Sequence, residues 1–293
     1  MARPGSEAPD TGEPAPDLHL HWHRTTVDGR PAEYGEGGLG GSGPTLVFLH
    51  GWGLGQHVYK RALKRVVAQG VRVVAPALPG FGGTPDLPHD QFSLAGYASW
   101  VAEFLNALEL PQPLTLVGHS FGGGVAIQTA HDHPQAVGRL VVVNSIGGSA
   151  WRHEGGAMRT LAERPLWDWG LHLRADVAPI RQLRRVLPVI VEDALPNLLR
   201  NPAALWRVGK LAATTNLTAE LEELRRRELP VVVLWGEADT VIPALARDSM
   251  MAALGSVSVP MKGSHTWLLS DPEAFGEVMT TIVGLHLADG GTT

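Results

Sequence analysis

The sequence contains no cysteine. Disulfide staples, thiolate catalysis and cysteine-ligated zinc or iron–sulfur centres are thereby excluded. No stretch approaches the ~20 consecutive apolar residues that span a bilayer. Residues 1–17, MARPGSEAPDTGEPAPD, lack the apolar run of a secretory signal. Positive charge is not in excess either: the formal net charge is −5, whereas binding nucleic acid or an anionic membrane needs a basic surface. The expectation is a soluble, cytoplasmic protein with no membrane span and no nucleic-acid partner.

What is present suits a large folded domain. The chain has 293 residues, 44% of them hydrophobic, and a mean hydropathy of +0.01. That is enough for one α/β domain, or for one carrying an insertion. Residues 1–17 are rich in Pro, Gly, Asp and Glu and read as a disordered tail. Strand candidates at 18–27 and 31–34 flank Asp28-Gly29, a hairpin turn signal. Short apolar runs follow at 45–49, 71–75, 114–117, 140–143, 231–235 and 256–259. Such runs suit strands covered on both faces. Helix-length segments lie near 56–69, 94–108, 121–131, 243–254 and 272–287. Strands alternating with helices imply right-handed crossovers and a mostly parallel sheet.

One interval breaks this rhythm. Nearly ninety residues with helical periodicity separate Val143 from Val231, far more than a loop. The reading divides the chain into a core of 18–145 and 229–293 and a helical cap of 146–228. The cap is expected to roof the C-terminal edge of the sheet, where open α/β sheets bind ligands.

The strongest chemical signal is Gly118-His119-Ser120-Phe121-Gly122, between an apolar strand and a helix rich in small residues. G-x-S-x-G places the serine on a strained strand-to-helix turn that projects its hydroxyl. Side chains at the flanking positions would clash with backbone, hence glycine. A serine hydroxyl needs a base. His265, in Lys262-Gly263-Ser264-His265, follows the last strand candidate and is the choice. His119 is its rival by proximity, but on a tight turn it should point elsewhere. Asp239, in Gly236-Glu237-Ala238-Asp239, is the orienting acid, with Glu237 as runner-up and a helix cap before Pro243 as the structural alternative for Asp239. The order Ser120, Asp239, His265 is the hydrolase order. Oxyanion donors are expected from the backbone N–H groups of Phe121 and Trp52, the latter in His50-Gly51-Trp52-Gly53.

With Pro79-Gly80-Phe81-Gly82, these pieces resemble the α/β-hydrolase family in its capped, esterase-like branch, over about residues 18–287. The resemblance implies an eight-stranded, mostly parallel sheet, a helical cap and no cofactor. Ser120 stands where epoxide hydrolases and haloalkane dehalogenases carry aspartate. Carbon–carbon bond hydrolases of ring-cleavage pathways usually carry tryptophan directly after the catalytic histidine, whereas Thr266 here precedes Trp267.

The function expected is hydrolysis of a carboxylic ester of an apolar small molecule through an acyl-enzyme. Alternatives on the same frame are carbon–carbon hydrolysis, perhydrolase or peroxidase chemistry, cofactor-free oxygenation, and a ligand-binding relative with incidental hydrolysis. Trp151, Trp167, Trp169 and Trp206 in the cap, and Trp267 beside the machinery, are candidate pocket residues. Packing of a thin helical layer accounts for the cap tryptophans equally well. His19, His21 and His23 would share a strand face, but they read as a polar edge strand and no metal site is expected.

Overall fold

The computed structural model describes residues 19–39, 43–148 and 195–289. Strands β1 (Leu20–Val27) and β2 (Arg30–Gly37) form a hairpin through Asp28 and Gly29. Both turn residues have positive φ, 47° and 71°, the conformation that favours Asp-Gly in two-residue hairpins. β2 runs three residues past the expected end because Gly35–Gly37 continue pairing with the next strand in the sheet. Gly35 lies opposite Trp22, and a Cβ there would sit 2.4 Å from the indole. Gly35 therefore seats an aromatic ring within a strand.

The other strands are β3 (Thr45–Leu49), β4 (Arg72–Pro76), β5 (Leu114–His119), β6 (Val137–Val143), β7 (Val231–Gly236) and β8 (Val259–Met261). The sheet order is β1-β2-β4-β3-β5-β6-β7-β8. β2 is antiparallel to both neighbours and the remaining pairs are parallel. This is the eight-stranded, mostly parallel sheet expected, with β1 at the edge. β8 starts later than the apolar pattern suggested. Gly255 ends the preceding helix with φ 62°, and pairing begins only where Val259 meets Leu234.

The helices are α1 (Lys60–Val67), α2 (Leu94–Ala107), α3 (Phe121–Asp132), α4 (Leu195–Arg200), α5 (Pro202–Thr214), α6 (Thr218–Arg226), α7 (Ala244–Leu254), α8 (Trp267–Ser270) and α9 (Pro272–Asp289). α1 is shorter than its pattern because Gln56–Tyr59 tighten into a 3-10 turn. α2 begins at Ser93, whose hydroxyl accepts from the Gly96 N–H at 3.0 Å. Among the described residues no helix is long and apolar enough to cross a membrane.

The apolar runs serve two core layers. Along β3, Leu46 and Phe48 face α1 and α9, while Val47 and Leu49 face α2 and α3. Period-2 alternation thus buries both faces of the strand. The loops at the C-terminal ends of β3, β5, β6, β7 and β8 gather at one edge of the sheet.

Between β6 and β7 the described residues carry α4, α5 and α6; residues 149–194 of the expected cap, with Trp151, Trp167 and Trp169 among them, lie outside the described set. α5 sits against the core loops. The Trp52 indole donates to the Leu205 carbonyl at 2.7 Å, and Asn201 Nδ2 donates to Asp86 Oδ2 at 2.9 Å. Arg207 pairs with the same Asp86 carboxylate. Asn197 Oδ1 accepts from the Gly82 N–H at 3.1 Å.

Candidate active site

Ser120 sits between β5 and α3 with φ 54° and ψ −117°. For a residue with a Cβ this is strained backbone, and it persists only where surroundings enforce it. Four hydrogen bonds do so. The Ser120 N–H donates to the Val143 carbonyl at 3.0 Å, and the Ser120 carbonyl accepts from Gly123, Gly124 and Ile146 at 3.0, 3.3 and 3.3 Å. Glycine is obligatory on either side: a Cβ on Gly118 would lie 2.3 Å from the Gly122 carbonyl oxygen, and one on Gly122 2.3 Å from that of Leu49. Ser120 retains 9% of its surface.

His265 follows β8, and Asp239 follows β7. Their side chains meet at 2.9 Å, His265 Nδ1 to Asp239 Oδ2, with 4% and 1% exposure. The other Asp239 oxygen accepts from the N–H groups of Val241 and Ile242 at 2.8 and 3.0 Å. Asp239 thus closes its turn with one oxygen and holds the imidazole with the other, while the helix that follows is capped at Pro243 and not at Asp239. Burial pushes the carboxyl upward, but the neighbouring His265, its hydrogen bond, and those from Asn144 and Ile242 outweigh burial and hold it below its usual range. Glu237, the runner-up, is exposed.

Asn144 was missing from the sequence reading. It is fully buried after β6, with φ 44°. Its Nδ2 donates to Asp239 Oδ2 at 2.6 Å, and its Oδ1 accepts from the Gly236 N–H at 3.2 Å and the Trp267 indole at 2.9 Å. An asparagine after a Val-rich run, where the chain must turn through a left-handed residue, was the available signal. The same network corrects Trp267. It is fully buried in the layer with Phe275 and satisfied by Asn144, so it belongs to the core. Trp206 is 59% exposed.

His119 does point away from the serine. Its Nδ1 contacts the Tyr59 hydroxyl at 2.8 Å and its Nε2 the His265 carbonyl oxygen at 3.0 Å. The two rings lie 4.9 Å apart, centroid to centroid. The residue preceding Ser120 is therefore hydrogen-bonded to His265 itself. Burial, with the nearby His265, pushes the His119 pKa down to about 3, so it stays neutral.

The loop after β3 completes the edge. A Cβ on Gly51 would lie 3.3 Å from Ser120 Cβ. The Gly51 carbonyl accepts from His50 Nδ1 at 2.9 Å and the Leu54 N–H at 3.3 Å. That carbonyl and the Trp52 N–H share one planar peptide, so fixing the first orients the second. His50 Nε2 accepts from the Leu78 N–H at 2.8 Å, and burial lowers its pKa to about 4. His50 is thus a neutral brace. Phe121 opens α3, where backbone N–H groups have no intrahelical partner. Among the described residues no cluster of His, Asp and Glu forms a metal-holding group.

Comparison with known proteins agrees with this fold. A family model described as the alpha/beta hydrolase family matches residues 46–278. A pimeloyl-[acyl-carrier protein] methyl ester esterase of Aeromonas hydrophila is 34% identical over 83% of this chain and 97% of its own. One from Aromatoleum aromaticum is 31% identical over 82% and 98%. Among solved structures, a haloalkane dehalogenase from Bradyrhizobium elkani superposes with a TM-score of 0.67 at 19% identity, covering 92% of this chain and all (100%) of that one. At that identity the likeness speaks for the fold alone.

Proposed function

The chain belongs to the alpha/beta hydrolase family, and from that premise we propose that it is a serine hydrolase cleaving a carboxylic ester of an apolar small molecule through an acyl-enzyme. The observation carrying this reading is the buried 2.9 Å bond between His265 and Asp239, on a loop tied to the residue next to Ser120. Supporting it, the relatives from Aeromonas and Aromatoleum are esterases of a carrier-bound acyl methyl ester. The apolar preference draws on Trp52 and Leu205, which meet beside the loop after β3.

In this reading Ser120 Oγ attacks the ester carbonyl carbon while His265 Nε2 takes the hydroxyl proton. Asp239 stays ionised; it fixes the imidazole tautomer and stabilises the imidazolium. The oxyanion receives hydrogen bonds from the Phe121 and Trp52 N–H groups, each donor contributing ~3 kcal/mol of transition-state stabilisation. Collapse of the tetrahedral species breaks the bond to the alcohol oxygen, which leaves with the proton from His265. Water, deprotonated by His265, then attacks the acyl-serine and releases the carboxylic acid.

The test is a p-nitrophenyl ester series on wild type and Ser120→Ala. Turnover should fall by ~10⁶-fold in the variant. A folded Ser120→Ala protein with unchanged hydrolysis would remove Ser120 from the chemistry.

A further inference from the structure

We propose that Tyr59 and His119 form a buried strut that sets the position of the oxyanion loop relative to the loop carrying His265. The inference rests on the triad reading above and adds two positioning residues to it. A continuous chain of hydrogen bonds carries it. The Gly51 N–H donates to the Tyr59 hydroxyl at 3.1 Å. That hydroxyl and His119 Nδ1 are 2.8 Å apart, and His119 Nε2 is 3.0 Å from the His265 carbonyl oxygen.

The ends of the chain dictate its proton order. A backbone N–H can only donate and a carbonyl can only accept. The tyrosine hydroxyl therefore accepts from Gly51 and donates to His119 Nδ1. His119 is then the Nε2–H tautomer and donates to His265. Both side chains are essentially fully buried, at 0% and 1% exposure. The strut joins the loop after β3, the 3-10 turn, the end of β5 and the loop after β8. His119 is covalently adjacent to Ser120, and Gly51 lies directly beside the serine Cβ. The groups that must converge on the tetrahedral centre are thus tied through one tyrosine–histidine pair. With both ring nitrogens engaged and burial holding the ring neutral, His119 passes no proton to substrate. Its effect is on geometry, and small displacements of preorganised donors weigh most in the transition state.

The test is Tyr59→Phe, which keeps the ring and removes the link. On a p-nitrophenyl ester, kcat should fall ~10-fold or more, the equivalent of one hydrogen bond of ordinary net strength, with KM within about twofold. Affinity for a trifluoromethyl ketone transition-state analogue should fall in parallel. His119→Leu should reproduce that split, whereas His119→Gln, whose amide can accept from Tyr59 and donate to His265, should recover most of the loss. A folded Tyr59→Phe protein with kcat within twofold of wild type, or one whose loss lies in KM alone, overturns the strut. If Tyr59→Phe does not fold, equal activity of the folded His119→Gln and His119→Leu proteins overturns it, as does failure of His119→Gln to recover activity. Ser120→Ala separates the two readings: an active Ser120→Ala protein removes the triad, whereas an inactive one beside a wild-type-like Tyr59→Phe removes only the strut.

Discussion

Replacing Asn144 by alanine should cost this protein more stability than almost any other single polar change. The side chain donates to the Asp239 carboxylate at 2.6 Å and accepts from Gly236 and Trp267. Loss of a hydrogen bond to a charged group costs ~1.5–3 kcal/mol, and each buried donor left without an acceptor a further ~1–3 kcal/mol. Alanine also inherits the left-handed backbone at φ 44°, a penalty of ~1 kcal/mol. Even at the low end of each range the total is ~4–5 kcal/mol, a large fraction of the ~5–15 kcal/mol that holds a domain folded. Asn144→Gly loses the same bonds but escapes the backbone penalty, so it should be milder by about 1 kcal/mol. Urea unfolding of the three proteins reads both quantities. A loss below ~1 kcal/mol for Asn144→Ala would refute the network argument, and equal losses for the two variants would refute the backbone part.

Gly122→Ala should destabilise the protein by about 3 kcal/mol or more, the upper end for overpacking, because its Cβ would meet the Leu49 carbonyl oxygen at 2.3 Å; a thermal melt within ~2 °C of wild type contradicts this. Acid should weaken the fold before carboxylates titrate. The pKa values of His50 and His119 are lowered to about 4 and about 3, so below pH ~6.5 the unfolded chain binds protons that the folded one refuses. Stability should therefore drop as pH falls from ~6.5 toward 4, by ~1.4 kcal/mol per pH unit for each histidine; a denaturation midpoint flat over that window contradicts the assignment. Trp52→Phe removes the indole bond to Leu205, so amide hydrogen exchange across 202–214 should accelerate. Unchanged exchange there would mean that the indole does not anchor α5.

The parts legible in the sequence were those set by local sterics. The Gly118-to-Gly122 spacing, the Asp28-Gly29 turn and the short apolar runs each have a cause within a few residues, and the structure shows those causes directly. What escaped was set by distant partners. The strand candidate at 31–34 stops short of Gly35–Gly37 because their pairing with β4 and the ring of Trp22 are invisible along the chain. Trp267 read as a pocket residue because it is two positions from His265, yet its indole is held by Asn144, 123 positions away in sequence. Asn144, Tyr59 and the hydrogen-bond partners of His119 belong to the same class: each matters through a hydrogen bond across the sheet edge, and sequence proximity gives no weight to such bonds.

The most direct test of the central claim is intact-protein mass spectrometry after exposure to a fluorophosphonate. Wild type should gain one adduct, mapped to Ser120, within minutes; Ser120→Ala should gain none, and His265→Ala should label slower by ~10³-fold or more. Rapid labelling of His265→Ala at Ser120, or an adduct on a different residue of the wild type, would contradict the account.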